Sequence, residues 1–180
     1  MQSLIIKKNS ICFYNMKKLL FLFSAFCLAN IFICAATLYA QSSNRLPSFQ
    51  MLLTNGKKLA TVDLREDKPV LLIYFAPDCD HCQTLMKSFF KRISEFTTAQ
   101  VLMVTFKPLN EVANFEKSYQ TYKYDNLIVG SETQPLYLQQ FYKLQNTPFV
   151  ALYDKNKNLI FSYRKDASVD DLIKRLKQIK

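Results

Sequence analysis

Between Pro69 and Pro77 the chain runs Val70-Leu71-Leu72-Ile73-Tyr74-Phe75-Ala76, with no charge or amide to interrupt it. A short apolar run that is part β-branched and part aromatic suits a strand buried on both faces, because both sets of alternating side chains then meet a core. Beyond Pro77 the period changes. Leu85, Met86, Phe89, Phe90, Ile93 and Phe96 recur at three- and four-residue spacing, which marks one face of a helix. Val101 to Phe106 reads as a strand, Leu109 to Tyr122 as a helix with Val112, Phe115 and Tyr119 inward, and Asn126 to Val129 as a short strand. Thr133 to Tyr142 has helical spacing in Leu136, Leu138 and Phe141, with Pro135 in the first turn. Phe149 to Tyr153 and Leu159 to Tyr163 form a hairpin about the turn Lys155-Asn156-Lys157-Asn158. Val169 to Ile179 closes the chain as an amphipathic helix, with Ser168 as its cap and Asp170 and Asp171 where the helix dipole favours acids.

A further hairpin is predicted ahead of these elements. Phe49 to Leu53 and Lys58 to Val62 flank Asn55-Gly56, the strongest short hairpin signal. Strands alternating with helices, then a hairpin and a last helix, imply an α/β layer architecture with a mixed central sheet. The chain has only two glycines, Gly56 and Gly130, so neither a dinucleotide-binding glycine fingerprint nor a phosphate-binding P-loop can be assembled.

Charge divides the chain. Four of its 24 basic residues and none of its 14 acids lie in residues 1–40, where Lys17 and Lys18 precede the apolar run Leu19 to Tyr39. Basic residues followed by an apolar stretch are the order of a secretory signal, and Met16 is the more natural start for one. The run also matches the roughly 20 residues that span a bilayer, so residues 1–40 read as a signal peptide cleaved after Ala40 or as an N-terminal membrane anchor. Either way the domain is exported, to the periplasm or cell envelope. Neither Cys27 nor Cys34 follows the small residue that a lipoprotein signal places before its cysteine. Residues 41–45 are a polar linker, and the domain is expected to occupy residues 46–180. Past residue 40 stand 20 basic residues against 14 acids, with the lysines scattered and the aromatics at core-like spacing, which speaks against nucleic acid as a partner.

Of the five cysteines only Cys79 and Cys82 lie beyond residue 40. One close pair cannot staple a scaffold, and a domain of this length builds a core without staples, so the pair is chemical in purpose. In Cys79-Asp80-His81-Cys82, at the head of a helix, unpaired backbone N–H groups and the helix dipole favour a thiolate on the first cysteine. Cys79 is then the nucleophile, and Cys82, one turn on, resolves the mixed disulfide that Cys79 forms. A protonated His81 would favour the Cys79 thiolate, while Asp78 and Asp80 oppose it. Zinc would want four ligands where Cys79, Cys82 and His81 are all that the motif offers, and a c-type haem would want His in place of Gln83, so neither a metal nor another cofactor is expected.

The strand Val70 to Ala76, the segment Pro77 to Cys82, and Thr147-Pro148 ahead of Phe149-Val150-Ala151-Leu152-Tyr153-Asp154 together resemble the thioredoxin superfamily. The leading hairpin, and the strand and helix between Val101 and Gly130, resemble its exported TlpA/ResA type. That resemblance implies a thioredoxin-like three-layer fold with an N-terminal β-hairpin and a βα insertion. It implies Thr147-Pro148 as a cis-proline turn that abuts the dithiol and offers backbone to substrate, and dithiol exchange with protein substrates, as a reductase fed by a membrane electron donor. The sequence departs from the pattern at Ile73 and Leu85, where relatives carry an acid that assists the second cysteine, and at Asp78, where thioredoxin has tryptophan. A peroxidase of the redoxin type would need Pro-x-x-x-Thr-x-x-Cys, which the residues before Cys79 do not supply. A thioredoxin-fold binding module, or a copper-delivery module using the two thiolates, is the alternative from a different class.

Overall fold

The chain's computed structural model describes residues 44–179, and the signal or anchor expected in residues 1–40 lies outside them. Seven strands form one mixed sheet: β1 (Gln50–Leu52), β2 (Lys58–Ala60), β3 (Val70–Tyr74), β4 (Gln100–Thr105), β5 (Leu127–Glu132), β6 (Phe149–Tyr153) and β7 (Leu159–Tyr163). Their order across the sheet is β2-β1-β5-β4-β3-β6-β7. β3, β4 and β5 run parallel, β1 and β6 flank them antiparallel, and the edge strands β2 and β7 pair antiparallel with β1 and β6. Four helices cover the faces: α1 (Asp80–Lys91), α2 (Leu109–Tyr119), α3 (Tyr137–Tyr142) and α4 (Val169–Leu176). Among the described residues no helix is long and apolar enough to cross a membrane.

The alternation of side chains along each strand divides the core in two. Leu71, Ile73 and Phe75 point to the face covered by α1 and α4, where Leu85, Met86, Phe89, Leu172 and Ile173 are buried. Val70, Leu72 and Tyr74 point to the other face, against Leu138 and Tyr142 of α3 and Phe49 of the leading segment. All five residues of β3 are buried, as its uninterrupted apolar sequence requires. Each fully buried large side chain in such layers contributes about 1.5–3 kcal/mol. α2 joins the first layer through Phe115, whose ring lies 4.6 Å from that of Phe75, and through Tyr119, stacked at 4.5 Å on Phe90 of α1.

The leading hairpin forms where Asn55-Gly56 predicts it, with Gly56 at φ 79° and the Asn55 side chain accepting a hydrogen bond from the Lys57 N–H at 3.0 Å. The chain is attached to the domain from Arg45, which bridges to Asn158, one residue inside the stretch read as linker. All four helices are shorter than the apolar spacing suggests: α1 ends at Lys91, with Ile93–Phe96 in a separate tighter turn, and α4 ends at Leu176. α2 stops at Tyr119 because Gln120 turns left-handed (φ 52°), and residues 121–123 continue as a tighter turn. α3 begins at Tyr137, not at residue 133, so Pro135 precedes the helix instead of occupying its first turn. Pro135 pushes Gln134 before it out of the helical region, and Leu136 after it is left-handed (φ 56°) and exposed, so the helix begins only beyond Leu136.

Gly130 is the glycine that packing demands. A Cβ there would lie 2.7 Å from the Leu52 carbonyl oxygen, where β1 crosses close to β5. Gly130→Ala therefore forces β1 away from β5, and we expect it to cost about 1–3 kcal/mol, read as a lowered urea midpoint. Gly130→Ala with unchanged stability would show that the β1–β5 approach is slack.

Candidate active site

β3 ends in a loop that the backbone holds tightly. The Phe75 N–H donates to the Val104 carbonyl at 3.0 Å, Pro77 ends the strand pairing, and the Cys79 N–H returns to the Ala76 carbonyl at 3.2 Å. Cys79 is the N-cap of α1, in extended conformation, and its carbonyl accepts the first helical bond from the Gln83 N–H at 2.9 Å. Its side chain is partly exposed, and its thiol donates to the Thr147 carbonyl at 3.5 Å. Cys82 lies one turn into α1 and is buried in the core beside Met86 and Phe89. Both thiols are free.

The two thiols differ in acidity for physical reasons. Burial raises the Cys79 thiol, but hydrogen bonds from the Cys82 thiol and N–H, the Thr147 side chain and the His81 N–H outweigh it, and the net result lies below the ordinary thiol value. Cys82 has no such excess of donors, and its burial pushes it up to about 12. The negative charge on Cys79 is part of that rise.

The other residues singled out from the sequence fall around this pair. Thr147-Pro148 is a cis peptide bond at the entry of β6, with Pro148 buried and the Thr147 carbonyl turned to Cys79. The side chain of His81 is exposed, with Nδ1 3.9 Å from a carboxylate oxygen of Asp166, and only its backbone N–H acts on Cys79. Asp78 is ion-paired with the Lys107 ammonium at 2.6 Å, which holds its carboxyl below the usual range and offsets the charge it brings to the motif. Asp80 is the exposed first residue of α1. Among the described residues no group of three or more His, Cys, Asp and Glu is arranged to hold a metal ion.

Sequence reasoning missed the buried polar contacts that place the Thr147 loop. Glu132, at the end of β5, accepts from the Tyr74 hydroxyl at 2.9 Å and from the Leu138 N–H at 3.1 Å, so one carboxyl joins the central strand to the start of α3. Burial raises its pKa despite those bonds. At the other end of α3 the Tyr142 and Tyr153 hydroxyls meet at 2.5 Å, and Arg164 donates to the Tyr142 carbonyl at 2.8 Å. Left-handed Lys143 (φ 52°) then turns the chain toward Thr147. The available signal was an acid and three tyrosines at otherwise apolar strand and helix positions. A cleft of about 530 Å³ opens beside this loop, bordered by Cys79, His81, Phe106 and Thr147.

The fold and the sequence have relatives. The pneumococcal exposed lipoprotein thioredoxin Etrx1 from Streptococcus pneumoniae superposes with a TM-score of 0.56 at 23% identity, over 73% of this chain and 99% of that one. MTB DsbF, solved in mixed oxidised and reduced forms, gives 0.59 at 17% identity over 73% and 95%. A peroxiredoxin-like protein from Aquifex aeolicus gives 0.62 at 15% identity over 76% and 86%. These likenesses show a thioredoxin-like fold. No curated protein matches the chain in sequence. The AhpC/TSA family model matches residues 43–175, a span that takes in all seven strands, the Cys79 motif and the Thr147-Pro148 turn. On that match the chain belongs to the AhpC/TSA family.

Proposed function

We propose that this protein is an exported thiol-disulfide oxidoreductase of the cell envelope that reduces disulfides in protein substrates through Cys79 and Cys82. The observation that carries the reading is the unequal placement of the two thiols. Cys79 stands at the open end of α1 on a cleft, beside the Thr147 carbonyl, and Cys82 is enclosed one turn behind it.

The Cys79 thiolate attacks one sulfur of the substrate disulfide. That bond breaks, a mixed disulfide forms, and the departing substrate thiolate takes a proton from solvent. Once Cys79 is bonded, the charge that raised Cys82 is gone, and Cys82 yields its proton to solvent more readily. Its thiolate attacks the Cys79 sulfur, closes the Cys79–Cys82 disulfide and releases the second substrate thiol. Two electrons pass to the substrate, and a membrane donor returns them to the protein. Thr147 and Pro148 border the cleft as the backbone edge along which substrate lies. The His81 N–H supports the Cys79 thiolate from the first turn of α1, while Asp78, paired with Lys107, and the exposed Asp80 flank the motif. No cofactor enters this cycle.

Peroxide reduction, the other activity that the family name and the peroxiredoxin-like neighbour bring to mind, wants a threonine three residues before its cysteine and a proline seven before. Ala76 and Leu72 stand there, both in or beside the buried strand β3.

Alkylation of the reduced chain with iodoacetamide, followed by mass mapping, is expected to modify Cys79 first, with a midpoint below pH 9.0, and Cys82 only at higher pH. The sign follows from the mechanism: only the thiolate reacts, so a lowered pKa moves reactivity to lower pH and a raised one delays it. Cys82 reacting first would reverse the assigned roles.

Cys82→Ser is expected to accumulate mixed disulfides on Cys79 and to lose turnover by roughly a hundredfold or more, with Cys79→Ser trapping nothing. Non-reducing electrophoresis of cell-envelope extracts reads both. In glutathione buffers a reductase should show a potential near the roughly −270 mV of thioredoxin, whereas a value near about −120 mV would make the protein an oxidant. Absence of any reversible couple would leave a binding role.

A further inference from the structure

The cleft beside Cys79 is charged with one sign. Arg164 and Lys165, which follow directly on β7, line it together with Cys79 and Thr147, and among the described residues no carboxylate does. Its remaining polar lining includes the uncharged amides Gln145 and Asn146. Arg164 is held in place by a backbone contact: one of its nitrogens donates to the Tyr142 carbonyl at 2.8 Å, which leaves the rest of a five-donor fork to face the cleft. Among the described residues neither Arg164 nor Lys165 is within ion-pair distance of an acid. The next residue, Asp166, has φ 43° and its carboxylate lies toward His81 at 3.9 Å.

Resting on the exchange reading above, we infer that the cleft selects protein segments that carry an Asp or Glu side chain close to the reacting cysteine, with Arg164 and Lys165 receiving the carboxylate. A guanidinium fixed at one nitrogen has already lost much of its rotamer freedom, so it binds an oxygen pair at lower entropic cost than a mobile lysine. The carboxylate does not enter the redox step. It lengthens the residence of the substrate sulfur at Cys79, and the bonds made and broken are those of the exchange cycle.

The test uses three fluorescence-quenched peptides with the same internal disulfide, flanked by Glu, Gln or Lys, and the reduced full-length chain at low ionic strength. The Glu peptide is expected to be reduced about threefold to tenfold faster than the Lys peptide, with the Gln peptide between them. The double variant Arg164→Gln/Lys165→Gln should bring the Glu-to-Lys ratio to about one. A ratio within one variant is insensitive to an overall loss of activity. If that variant does not fold, Lys165→Gln alone, which removes no hydrogen bond of the described residues, must lower the ratio.

Lys57→Gln/Lys58→Gln makes the same change in net charge at the β2 edge of the sheet, opposite β7, and should leave the ratio intact. Equal rates for all three peptides would overturn the acidic preference alone. Equal losses in the two double variants would assign the preference to net charge and overturn the role of Arg164 and Lys165. Reduction of none of the peptides would overturn the exchange reading as well.

Discussion

The point at which β3 stops fixes the chemistry of the whole domain. This strand has neighbours on both sides, β4 parallel and β6 antiparallel, and its side chains are buried on both faces. It therefore cannot shift in register without moving an entire apolar set into the wrong layer. Pro77 then ends the pairing, because it has no N–H to give, and the chain turns out of the sheet within two residues. The next residues begin α1, so the unpaired N–H groups at its start fall beside Cys79. A helix whose apolar face must cover the sheet carries Cys82 inward with Leu85, Met86 and Phe89. The contrast between an accessible first thiol and an enclosed second one follows from where a buried strand gives way to an amphipathic helix.

The second side of the site arrives through contacts of another kind. α3 has only six residues, too short to be stable on its own, and polar groups hold it at both ends. Glu132 receives both the Tyr74 hydroxyl and the Leu138 N–H, while Tyr142 meets Tyr153 by its hydroxyl and Arg164 by its carbonyl. Buried polar groups left without partners cost about 1–3 kcal/mol each, so these pairs resist small displacements of α3. The loop leaving α3 delivers Thr147 to Cys79. Since the same Arg164 also lines the cleft, the residue that helps fix the loop belongs to the wall beside Cys79.

Charge near the dithiol is balanced more locally than the motif implies. Asp78 has its own counter-ion in Lys107, which comes from the loop after β4, and the His81 ring lies out toward Asp166. What acts on Cys79 is chiefly burial opposed by donors from the first turn of α1, the Cys82 thiol and Thr147. The side chains between the cysteines thus contribute less than the backbone that carries them.

The sequence by itself determined the order of elements, the buried central strand, both hairpins and the pair Cys79 and Cys82 at a strand-to-helix junction. Each of these depends on residues close in the chain: hydrophobic period, turn chemistry at Asn55-Gly56, prolines that end strands, and a serine cap on the last helix. The start of α3 lies later than the spacing at Leu136, Leu138 and Phe141 suggests, because that spacing says nothing of the left-handed turn at Leu136. Only the tertiary structure decided that Lys107 would neutralise Asp78, that Glu132 would join Tyr74 across 58 residues of chain, and that Arg164 would face the cleft. Such contacts join residues distant in sequence whose meeting is set by sheet order and packing, and no local period or propensity encodes them.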